Sequence, residues 1–147
     1  MKKYLLLCVL LSGSFFAICQ STGNYKADVD KAAGYIRNGA YKRGYDHLIT
    51  FSEVNETAIN VKPNTGYAIF FVYDNTNHPS PDFKVFLMTP DSALQKKYTT
   101  SPYDRAQVGL ARAAMLEFRT PPFTGKETRP VKLEAKPKAT IYVYYKK

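Results

Sequence analysis

Seven consecutive uncharged residues, Tyr67, Ala68, Ile69, Phe70, Phe71, Val72 and Tyr73, constrain the fold more than any other stretch. Side chains alternate along a strand, so Tyr67, Ile69, Phe71 and Tyr73 share one face and Ala68, Phe70 and Val72 the other. Both faces are apolar, which marks a strand covered on two sides. A helix of this length would make barely two turns, and the aromatic and β-branched content favours a strand. Residues 83–89 repeat the pattern, with Phe83, Val85 and Leu87 opposite Lys84, Phe86 and Met88. The Lys84 interruption puts this second strand nearer an edge. The loop between them, 74–82, collects Asp, Asn, Ser and Pro, which favour turns over ladders. The stretch 67–91 is therefore the expected centre of the fold.

The start of the chain has a different logic. Lys2 and Lys3 precede an apolar run, 4–18, too short to span a bilayer comfortably. Ala17 and Cys19 are small residues at the two recognition positions before Gln20, the pattern of a secretory signal peptide. The expected organisation is a signal peptide over 1–19, an N-terminal arm or short helix over 20–40, and a β-sandwich domain over 41–147. The expected destination is export, to the periplasm or the medium. Lipoprotein anchoring through Cys19 is the alternative, and Ile18 opposes it because the residue before a lipidated cysteine is normally small. Trimmed after Cys19, the chain has the length of one domain with a real core. Cys8 and Cys19 are its only cysteines, so the mature protein would have neither a disulfide nor a thiol nucleophile and would be held by packing alone.

The chain carries 21 basic and 12 acidic residues, a formal net charge of +9. A basic exported protein suits an envelope protein with an acidic surface, an anionic surface or a polysaccharide, or simply keeps a well-solvated exterior. Nucleic acid is a poor match for a protein that leaves the cytoplasm, and the mature chain holds no run suited to crossing a membrane.

In chain order, residues 27–37 put Val29, Ala32, Ala33 and Ile36 at helical spacing, with Asn38-Gly39 as the expected stop; such a helix could cover the second face of a central strand. Strands are expected over 45–52 and 57–61, separated by a polar turn at 53–56. Pro63, Asn64 and Gly66 then predict a tight turn joining the second of these to the strand at 67 as a hairpin. Thr89-Pro90 has the form of a helix start and predicts a short helix over 90–98. Residues 106–119 read as a helical turn followed by a strand from about Leu110 to Arg119. Strands over 131–135 and 140–145, with a turn at Lys136-Pro137-Lys138, close the chain. The sum is a mostly β protein, an antiparallel β-sandwich of about seven strands, immunoglobulin-like or jelly-roll, with one to three short helices. No βαβ rhythm and no internal repeat is present.

The chemistry is sparse. His47 and His78 are the only histidines. Asp46 and His47 are neighbours in an expected strand and point to opposite faces, so they form no direct dyad. No nucleophile elbow, zinc-protease helix or phosphate-cradling glycine loop occurs. Neither a catalytic set nor a cofactor is expected. Asp74, Asn77 and Asp82 offer hard oxygens of the kind calcium prefers, but without the order of the helical calcium loop; turn capping explains them as well. Tyr98, beside Lys96 and Lys97, and Tyr103, beside Arg105, combine an aromatic ring with a cation and form the expected binding surface. The functional expectation is an exported non-catalytic protein that binds another cell-envelope or extracellular component. A carbohydrate-binding module and a small secreted hydrolase using His47 or His78 are the alternatives.

Overall fold

A computed structural model describes residues 23–76, 81–89, 91, 93–99, 105–124 and 128–147. Their order is α1 (Tyr25–Lys42), β1 (Asp46–Val61), β2 (Gly66–Asp74), β3 (Asp82–Met88), β4 (Leu94–Thr99), β5 (Arg105–Val108), β6 (Ala111–Arg119) and β7 (Arg129–Lys146). All seven strands pair antiparallel in one continuous sheet, in the order β4-β3-β7-β2-β6-β5 with β1 also on β7. The sheet curls into a half-barrel, and the chain is mostly β as expected.

The organiser is β7 rather than the predicted centre. This strand runs unbroken for 18 residues and has three partners. β1 follows it from Tyr145 back to Arg129. Its other edge is shared: β2 takes Thr140 to Lys146 and β3 takes Val131 to Lys136. The expected turn at Lys136-Pro137-Lys138 is thus the point where a continuous strand exchanges one partner for another. The peptide bond between Lys136 and Pro137 is cis. Proline brings no N–H to the ladder, so it stands where neither β2 nor β3 is paired with the strand.

Alternation along β7 sets the layers. Val131, Leu133, Ala135, Ala139, Ile141 and Val143 all point into the curl, where they meet Phe83, Val85 and Leu87 of β3 and Tyr67, Ile69, Phe71 and Tyr73 of β2. Phe71 stacks on Phe83 with centroids 4.8 Å apart. The opposite face of β2, Ala68 and Val72, lies under α1 with Tyr144, Val108 and Ala111, against Val29, Ala32, Ile36 and Ala40. β2 is covered on both sides, as its uncharged sequence predicts.

α1 is longer than expected. Asn24 caps it by accepting the Lys26 and Ala27 amides. It does not stop at Asn38-Gly39, because Gly39 and Ala40 carbonyls still receive the Arg43 amide. It ends at Gly44, whose φ of +77 suits glycine. The helix is pinned by Asp28, which is fully buried and accepts the Leu110 amide at 2.8 Å. Its carboxylate occupies the space beside Gly109, where a Cβ would come within 2.2 Å of Oδ2.

Four further expectations are corrected. Residues 46–61 form one strand, with register shifts after His47, Phe51 and Val54. Glu53 takes a φ of +54 there, so the polar stretch read as a turn is absorbed as bulges while pairing with β7 continues. β1 and β2 are not a hairpin. The turn at Pro63-Asn64 exists, and Asn64 has a φ of +52, but it carries the chain from one edge of β7 to the other. Residues 94–98 are strand rather than helix. The Thr89 hydroxyl and amide are spent on Ala93, at 3.0 and 2.7 Å, closing a tight turn instead of capping a helix. The helical turn expected near 106 is β5, joined to β6 by Gly109 at φ +58; the strand expected over 110–119 is β6.

Candidate functional site

The curl leaves a seam. β4 is an end strand and pairs only with β3. β6 pairs along its whole length with β2, but on its other edge β5 reaches only Ala111 to Ala114. Among the described residues, the outer backbone of β4 and that of 115–119 therefore carry no ladder partner. The two edges are bridged by side chains: Tyr98 of β4 stacks on Phe118 of β6, centroids 4.8 Å apart, and Phe118 stacks in turn on Tyr67 at 5.5 Å.

At the end where β4 begins and β6 finishes, the seam flares into an open cleft of about 550 Å³. One wall is Gln95, Lys96 and Tyr98 of β4. The other is Arg119 with the segment Thr120-Pro121-Pro122, and Leu87 and Asn64 complete the lining. The second wall is held firmly. The Thr120 hydroxyl accepts the Thr65 amide at 2.9 Å and donates to the Lys62 carbonyl at 2.6 Å. The Thr120 amide donates to Thr65 O at 3.0 Å, and the Asn64 amide to Pro121 O at 3.3 Å.

Two cations line the cleft, and a third, Arg129, lies behind Gln95. Lys96 Nζ sits 5.0 Å from the Tyr98 ring centroid. Arg119 is exposed on the opposite wall. Arg129, only 9 % exposed, donates from Nη1 to Gln95 Oε1 at 2.7 Å and lies 4.5 Å over the Phe123 ring. Its Nε is buried and has no acceptor among the described residues. Among the described residues, none of the three is in an ion pair and no acidic side chain lines the cleft. Basic residues elsewhere do have carboxylates: Arg43 pairs with Glu117, Lys132 with Glu134 and Glu56 at 2.9 and 3.1 Å, and Lys138 with Glu53 at 3.1 Å. Burial pushes the Tyr98 phenol above its ordinary value, so it stays neutral at physiological pH.

Of the expected surface, Tyr98 is in the cleft. Tyr103 lies outside the described residues, and so does the side chain of Arg105, whose backbone opens β5. Lys96 faces Tyr98, whereas Lys97 points the other way, 5.9 Å over Phe86. Of the expected calcium ligands, Asp74 caps its own turn by accepting the Thr76 amide at 2.8 Å, Asp82 pairs with Lys84, and Asn77 lies outside the described residues. Among those residues no cluster of three or more metal-ligating side chains occurs, and no helix is long and apolar enough to cross a membrane. His47 bonds Thr50 Oγ1 at 2.9 Å and packs edge-on against Tyr144; His78 is outside the described residues. Gln95, Arg119 and Arg129 carry no sequence signal, because Gln95 and Arg129 meet only through the pairing of β3 with both β4 and β7, and Arg119 is brought round by the curl through β2 and β6. No model of a known protein family matches the chain, and no curated protein is similar to it.

Proposed function

We propose that this is an exported, non-catalytic protein that binds another cell-envelope or extracellular component, and that it does so at the flared seam between β4 and β6. The observation that carries the reading is the cleft itself, whose lining cations Lys96 and Arg119 have no carboxylate partner among the described residues. A charged concavity without internal counter-ions raises the local concentration of an oppositely charged partner and steers its approach. Export rests on the basic and apolar pattern of 1–19.

The carbohydrate alternative needs an open aromatic face. Tyr98 offers little of one, since Phe118 covers one face and Lys96 lies over the ring. The hydrolase alternative would need a general base: His47 is occupied with Thr50 and Tyr144 on the helix side of the sheet, and His78 lies outside the described residues. The test is fractionation of the native cell. The wild-type chain is expected to co-sediment with the envelope. A Lys96→Glu/Arg119→Glu double variant, folded by circular dichroism, is expected to be released. Equal retention of both would contradict the assignment of binding to this cleft.

A further inference from the structure

We infer that the cleft takes an extended, acidic polypeptide segment, laid along the open edge of β4 with its carboxylates toward Lys96 and Arg119. This rests on the binding role proposed above and narrows it to a ligand class. Three observations converge on it.

The first is charge. Lys96 and Arg119 stand on opposite walls of the cleft, with Arg129 fixed behind Gln95. Arg129 is 9 % exposed, and its Nε has no acceptor among the described residues. It meets the cleft only through Gln95, so a carboxylate on the Gln95 side would bring negative charge near this cation without touching it.

The second is backbone. The outer edge of β4 and the 115–119 edge of β6 flank the cleft without ladder partners among the described residues. Unpaired strand edges recruit an extended chain, because each added residue can exchange N–H and C=O with the edge. A polysaccharide cannot use that pattern of alternating donors and acceptors.

The third is the ring. A sugar would need a free aromatic face, and Tyr98 already stacks on Phe118 and carries the Lys96 ammonium over its ring. Leu87, Pro121 and Pro122 instead give short apolar surface, which suits the alternate side chains of a strand whose other residues are acidic.

The test is fluorescence anisotropy with the whole mature protein and a labelled peptide of alternating glutamate and valine. Binding is expected to weaken about tenfold or more in Lys96→Glu and in Arg119→Glu. It should also weaken when alternate peptide nitrogens are methylated, which removes strand hydrogen bonds and leaves the charge. Equal or tighter binding of an oligogalacturonate of the same charge would overturn the proposal in favour of an anionic polysaccharide. Indifference to N-methylation would overturn it in favour of plain charge attraction. Failure of the peptide to bind, alongside charge-dependent envelope retention, would overturn the ligand class and leave the binding role standing. Loss of both would remove the binding role as well.

Discussion

Asp28 shows how much a single residue decides. It sits in the first turn of α1, where a carboxylate complements the positive end of the helix. It also accepts the Leu110 amide from the β5–β6 turn. Removing it as Asp28→Ala is expected to destabilise the protein by about 1–3 kcal/mol, the cost of leaving a buried donor unpaired, read as a lower urea midpoint. Gly109→Ala is expected to be at least as harmful. The backbone there has a positive φ, and the new methyl would collide with the Asp28 carboxylate. If α1 docks through this contact, the double variant should cost less than the sum of the two singles. None of this is legible in the sequence, where Asp28 falls within the helical pattern of 27–37 and Gly109 within the stretch 106–119 read as a helical turn and a strand. The pairing spans 82 positions, and no local periodicity reports it.

At the scale of elements, what could be read was what local pattern dictates. The alternation at 67–73 gave β2 and both its covered faces, and the spacing of Val29, Ala32 and Ile36 gave the apolar stripe of α1. What could not be read was continuity. Polar or proline-containing stretches at 53–56 and 136–138 resemble turns, but here they lie inside long strands whose partners carry them across. Glu53 is the clearest case. Its positive φ is held by contacts from three directions, with Tyr25 Oη at 3.3 Å, Thr140 Oγ1 at 3.5 Å and Lys138 Nζ at 3.1 Å. Burial first, and the Glu53 charge next, raise the Tyr25 phenol well above its ordinary value, so it remains a donor to that carboxylate. Glu53→Gly would relieve the backbone and delete those contacts, whereas Glu53→Ala would delete the contacts and keep the strain. Ala is therefore expected to be the less stable of the two, by about 1–2 kcal/mol, in parallel thermal melts. The reverse order would mean that this bulge stores no strain. The site was half visible for the same reason: Lys96 and Tyr98 are near neighbours in sequence, but Arg119 and Arg129 reach them only through the sheet.

For the whole molecule, one long strand holds two facing halves of a curled sheet, and the open seam opposite it is where we propose that a partner binds. The tyrosines that line both layers make this architecture sensitive to alkali. Tyr67, Tyr98, Tyr142 and Tyr144 are all raised from 10.0, chiefly by burial. Their neutral form is the one the fold favours, so their contribution is complete below pH 10 and declines as pH rises through the raised values. Stability is expected to hold across neutral pH and to fall above 10, with tyrosinate absorbance appearing together with loss of the β signal in circular dichroism. The most direct test of the account is a photo-crosslinking scan in the native cell, with the probe placed in turn at Gln95, at Arg119, and at the exposed helix positions Lys26 and Arg37. The account predicts a discrete adduct from Gln95 and Arg119 and none from the helix. Adducts from the helix alone, or an even yield from all four positions, would contradict it.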